Sequence, residues 1–100
     1  MKSILNVSAY KFVSLSDPAA WRDAIRAQAQ ARALLGTVLL ADEGINLFVA
    51  GAPADMATFL QWLRLQAPFA GIVVKESESD DRPFGKLIVK VKPEIIRMNH

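Results

Sequence analysis

A chain of 100 residues with 52 % hydrophobic and 22 % charged composition suits one globular domain, 1–100, and is too apolar to be disordered. It contains no cysteine, which excludes disulfides and thiolate chemistry, and no stretch approaches the ~20 apolar residues of a membrane span. A net charge of +2 is too small to name a partner, and the lack of an apolar signal segment after Met1-Lys2-Ser3 leads us to expect a cytoplasmic protein.

Ile4 to Leu15 alternates apolar and polar residues and is rich in β-branched and aromatic types, which predicts a strand. Asp17-Pro18 then offers an N-cap followed by a proline at the first helical position. Trp21, Ala24, Ile25, Gln28, Ala31 and Leu35 recur at helical spacing, and Gly36 is the expected left-handed stop. Thr37–Ala41 and Ile45–Ala50 are β-type runs around Asp42-Glu43-Gly44, a hairpin signal in which Gly44 supplies a positive φ. Met56, Phe59, Leu60, Leu63 and Ala67 form a second helical stripe that ends before Pro68. Ile72–Lys75 reads as a short strand, Glu76–Asp81 as a polar loop, Leu87–Val91 as a last strand and Glu94–His100 as a tail. The order predicts an α+β fold, a ferredoxin-like or acylphosphatase-like βαββαβ sandwich with one extra strand. Its sheet should be mainly antiparallel, with both helices on one face.

Groups that could do chemistry are scarce. The single histidine is the terminal His100, so neither a held general base nor a zinc site is expected, and phosphate-loop and dinucleotide motifs are absent. We therefore expect no cofactor, no metal and no catalysis by these residues alone. Asp42 and Glu43 beside Asn46 suggest a cation site at most. Two adjacent acids without a third ligand read better as a polar turn. Acylphosphatase chemistry would need a glycine-rich loop with an arginine after the first strand. Val13-Ser14-Leu15-Ser16-Asp17-Pro18 has neither, and a shared fold does not carry an activity.

The pleat of the last strand places Leu87, Val89 and Val91 toward the helices and Lys86, Ile88, Lys90 and Lys92 on the other face. Arg82 and Arg97 extend that basic stripe, which would suit RNA phosphates or simply protect a sheet edge. Tyr10 and Phe12 share one face of the first strand. On the open face they would stack bases; because Leu5, Val7, Ala9 and Val13 are apolar too, the alternation permits either phase, and the core is the expectation. Trp62 and Leu65 lie off the main stripe of the second helix, where they would cover a sheet edge or dock another domain.

Leu40-Ala41-Asp42-Glu43-Gly44-Ile45-Asn46 resembles a motif of the N-terminal domain of rhodanese-like bacterial proteins that hydroxylate the wobble uridine of tRNA. Tyr10-Lys11-Phe12, Asp17-Pro18, Phe84-Gly85-Lys86, Val89-Lys90-Val91-Lys92 and Glu94-Ile95-Ile96 match the family in the same order, although Leu47 is larger than is usual after the Glu43–Asn46 core. The resemblance spans nearly the whole chain. It implies a longer protein in which this domain precedes a rhodanese domain, with tRNA as substrate and hydroxylation as reaction. For the domain itself the residues suggest two roles: contact with tRNA, with Arg82, Lys86, Lys90, Lys92 and Arg97 on phosphates and Tyr10 and Phe12 stacking, or a structural role without RNA contact, docking on the rhodanese domain or holding a dimer through Trp62, Leu65 and the Glu43-Gly44-Ile45-Asn46 hairpin.

Overall fold

The computed structural model describes residues 4–81 and 84–93. Its elements are β1 (Ile4–Phe12), α1 (Pro18–Ala31), β2 (Leu35–Ala41), β3 (Gly44–Gly51), α2 (Pro53–Leu65), a 3₁₀ turn (Ala67–Phe69), β4 (Lys75–Ser79) and β5 (Leu87–Val91). The five strands lie in the order β4-β1-β3-β2-β5. β1–β3, β1–β4 and β2–β3 pair antiparallel, whereas β5 joins β2 in parallel. The α+β sandwich expected from sequence is therefore present, and the extra strand makes the sheet mixed.

The core forms because one face of every central strand is apolar. Val7, Ala9, Val38, Leu40, Ile45, Leu47, Val49 and Val89 meet Ile25 and Ala29 of α1 and Met56, Phe59 and Leu63 of α2 in one cluster. Helix α1 packs on β2 and β5, and α2 on β1 and β3, so both helices cover the same side. Burying a side chain such as Phe59 or Phe69 contributes about 1.5–3 kcal/mol.

Helix α1 starts as predicted: Asp17 Oδ1 accepts from the Ala20 N–H at 3.2 Å, with Pro18 at the first turn. It stops earlier than predicted. Leu34 N–H donates to Ala29 O and Ala33 N–H to Gln30 O, the paired bonds of a Schellman ending, and Ala33 takes the left-handed conformation at φ 55°. Gly36 is not the helix cap. It lies in β2, where a Cβ would meet Phe48 O at 2.1 Å and Val49 Cα at 2.8 Å, so glycine is required for β2 to approach β3. Leu35 accordingly belongs to β2.

A second difference lies at the far edge. Ile72–Val74 is not a strand; Ile72 is buried, and its carbonyl receives Arg64 Nε at 3.3 Å and Nη2 at 3.2 Å. The strand is instead the polar Lys75–Ser79, paired with β1 on one side only and largely exposed. β1 ends at Phe12 rather than at Leu15.

The candidate nucleic-acid interface on the open sheet face

Residues paired across a ladder share a face, so the register defines the side that the helices leave uncovered. Across β4, β1, β3, β2 and β5, one row reads Lys75, Ser8, Phe48, Thr37, Ile88, and the next reads Tyr10, Asn46, Leu39, Lys90 on the last four strands. Phe12 pairs with Gly44 in the row beyond, and Asn6 with Ser77 in the row before. Lys86 and Lys92 flank β5 with the parity of Ile88 and Lys90. Their main chains continue the ladder through Gly36 N–H to Lys86 O at 3.0 Å and Lys92 N–H to Leu40 O at 2.7 Å.

Tyr10 and Phe12 are therefore not core residues. They are 67 % and 48 % exposed and touch each other edge to face at 5.8 Å. The phase of β1 is set by Val7 and Ala9, which are small enough to lie beneath α2. Phe48, which the sequence reading passed over, is 49 % exposed on the neighbouring strand and meets Phe84 edge to face at 5.1 Å. Lys75 was also missed: the sequence pattern makes it the last residue of a strand Ile72–Lys75, whereas it opens β4, Lys75–Ser79. The signal for Phe48 was available: it alternates with Leu47 and Val49 and so had to face away from them.

The charges divide cleanly between faces. No described strand position on the open face is acidic; on β4, Lys75, Ser77 and Ser79 point there, while Glu76 and Glu78 take the opposite parity. Among the described residues, Lys75, Lys86, Lys90 and Lys92 engage in no ion pair or side-chain hydrogen bond. Two cations on the helix side are committed instead. Lys11 Nζ donates to Ala70 O at 2.7 Å, and Arg26 Nη2 to Val89 O at 2.7 Å. Leu87 and Val89 face the core as expected, but Val91, at the strand end, is 40 % exposed. Arg82 and Arg97 lie outside the described residues, as does the tail from Glu94.

The hairpin motif has a structural explanation. Asp42 and Glu43 form the two-residue turn, and their carbonyls accept from Leu15 N–H at 2.8 Å and Val13 N–H at 2.9 Å. Gly44 has φ 149°, and a Cβ there would fall 2.1 Å from Lys11 O. Ile45 is fully buried, and Asn46 projects on the open face between Tyr10 and Leu39. This turn also takes up two N–H groups of the segment after β1, the place where an acylphosphatase phosphate loop would be sought. Among the described residues, no three His, Asp or Glu side chains gather as a metal site, and no helix is long and apolar enough to cross a membrane.

The docking pair separates. Trp62 is half-buried against the core, with its ring 6.2 Å from Phe59. Leu65 is 76 % exposed and lines a groove of about 410 Å³ with Leu5, Ala57, Leu60, Gln61, Arg64 and Glu76, which Trp62 does not border.

Comparison with known proteins agrees with this architecture. The chain resembles the solved BlrB, a BLUF protein in its dark state, with TM-score 0.70 and 15 % identity over 90 % of this chain and 74 % of that one. It also resembles the acylphosphatase from Bacillus subtilis, with TM-score 0.62 and 14 % identity over 89 % of this chain and 98 % of that one. At these identities the likeness concerns the fold alone. A protein of Bordetella parapertussis named tRNA uridine(34) hydroxylase is 56 % identical over all 100 residues, which make up 42 % of its length. A protein of the same name from Delftia acidovorans is 54 % identical over the whole chain and 38 % of its own length. The chain thus spans about 40 % of the curated relatives it matches. The profile of the UPF0176 acylphosphatase-like domain matches residues 4–95, and the chain belongs to that family.

Proposed function

We propose that this chain is the accessory N-terminal domain of a cytoplasmic, rhodanese-type tRNA uridine hydroxylase and that it contributes to holding tRNA. The chemistry would reside in the remaining part of the longer protein. The observation that carries the binding role is the sorting of side chains on the sheet. Among the described residues, unpaired lysines and exposed aromatics occupy the open face, and no strand carboxylate lies on it. Such a surface attracts a polyanion and rejects an acidic protein partner. The polyanion, tRNA, is suggested by the names of relatives that are 56 % and 54 % identical over the whole chain.

Lys86, Lys90 and Lys92 would neutralise phosphates from β5, and Lys75 from the opposite edge. These contacts set affinity rather than sequence preference. The test is the double reversal Lys90→Glu/Lys92→Glu, with tRNA affinity measured across salt concentrations. We expect weaker binding and a plot of log affinity against log salt flatter by about two counterions. Unchanged affinity and slope in the folded variant would remove the stripe from the interface.

One observation favours a second role, docking on the rest of the longer protein: the exposed Leu65 in its groove beside α2. Docking there would shield Leu65 in the full-length enzyme and leave the open face to RNA.

A further inference from the structure

We infer that the open face takes unpaired nucleotides, with bases stacking on Tyr10 and Phe48, and not a base-paired duplex. This rests on the tRNA-contact reading and goes further by stating which form of RNA is bound.

Three observations support it. The two rings stand on adjacent central strands. Because Ser8 pairs with Phe48 and Tyr10 with Asn46, the two residues are diagonal neighbours, a relation that sets Cα atoms about 7–8 Å apart across a ladder. Each keeps a ring face for a base. Tyr10 is 67 % and Phe48 49 % exposed, and their contacts with Phe12 and Phe84 are edge to face, so each contact occupies at most one face of the Tyr10 or Phe48 ring. Finally, lysines stand on both outer strands of this platform, Lys75 beside Ser8 on β4 and Lys90 beside Leu39 on β5, so a backbone crossing the rings meets a cation on either side.

A duplex uses none of the aromatic surface, because its bases are already stacked on one another and its A-form grooves are read through phosphates and 2′-hydroxyls. An unpaired segment uses both parts, bases on rings and phosphates on lysines. A protein ligand would cover the rings as well, but it would meet four lysines and no strand carboxylate.

The experiment compares two end-labelled RNAs of about twelve nucleotides per strand, one an unstructured single strand and one a blunt, fully paired duplex without loop or overhang, at equal concentrations of phosphate. Binding to the 100-residue chain is followed by fluorescence anisotropy at fixed salt. We expect the unstructured strand to bind more tightly. Tyr10→Ala and Phe48→Ala should each weaken it about five- to a hundred-fold while leaving duplex binding unchanged, and Phe48→Tyr should restore it. Both residues are on the surface, so the variants should fold, which amide spectra verify. Equal binding of both RNAs with no effect of either alanine would overturn the stacking inference and leave a phosphate-only surface consistent with tRNA contact. Failure of folded wild-type chain to bind either RNA or whole tRNA would overturn both readings and point to a protein ligand.

Discussion

Gly44→Ala tests the join between the hairpin and the first strand, the junction that fixes the register of the open face. The added Cβ would lie 2.1 Å from Lys11 O and 3.1 Å from Phe12 Cα, with φ at 149°. Neither neighbour is a flexible side-chain tip, so the strands themselves must part. Holding alanine in a backbone region suited to glycine costs about 1–3 kcal/mol. Parting the strands also loosens the bonds from Val13 to Glu43 and Leu15 to Asp42, each contributing about 1 kcal/mol. Together these give about 3–5 kcal/mol, a large share of the roughly 5–15 kcal/mol that stabilises a domain of this size. The thermal midpoint followed by circular dichroism should fall by at least about 12 °C. Gly85→Ala is the control. Nothing lies within 4 Å of a Cβ there, so the change should be within about 1 kcal/mol. A Gly44→Ala protein as stable as wild type would refute the pairing of Phe12 with Gly44, and with it the placement of Tyr10 beside Asn46.

Two further substitutions test the frame beneath the open face. Asp17→Ala removes the side-chain cap on Ala20 N–H and should lower stability by about 1 kcal/mol in urea unfolding, with Asp17→Asn retaining most of it. Arg26→Met deletes the donor to Val89 O and should cost about 1 kcal/mol. It should also speed amide exchange along the outer edge of β5 more than in β3; uniform exchange would show that Arg26 does not secure that edge.

Much of the fold was legible because strong local signals agreed with tertiary packing. Asp17-Pro18, the Asp42-Glu43-Gly44 turn and the alternation of Leu87–Val91 each named their element correctly. Misreadings arose where two physical demands competed for one residue type. Gly36 looked like a helix stop, but its missing side chain serves strand contact, and Ala33 takes the left-handed position instead. Lys75-Glu76-Ser77-Glu78-Ser79 has the composition of a loop because this edge strand is largely exposed and has little apolar surface to bury. Ile72 has the composition of a strand yet lies buried in an irregular segment.

The candidate site was half legible. The lysine stripe on β5 followed from parity. The aromatics did not, since β1 is apolar in both phases and only the fit of Val7 and Ala9 beneath the helices selects one. Phe48 becomes meaningful only when the register places it diagonally to Tyr10, a relation between strands that no local pattern contains.

The measurement that tests the central claim most directly is a titration of the isotope-labelled chain with unmodified tRNA, followed by amide chemical shifts at low and moderate salt. Contact through the open face predicts shifts at Ser8, Tyr10, Phe48, Lys75 and Lys90 that shrink as salt rises. An intact spectrum with no shifts, or shifts confined to Arg64 and Leu65 at the end of α2, would contradict it.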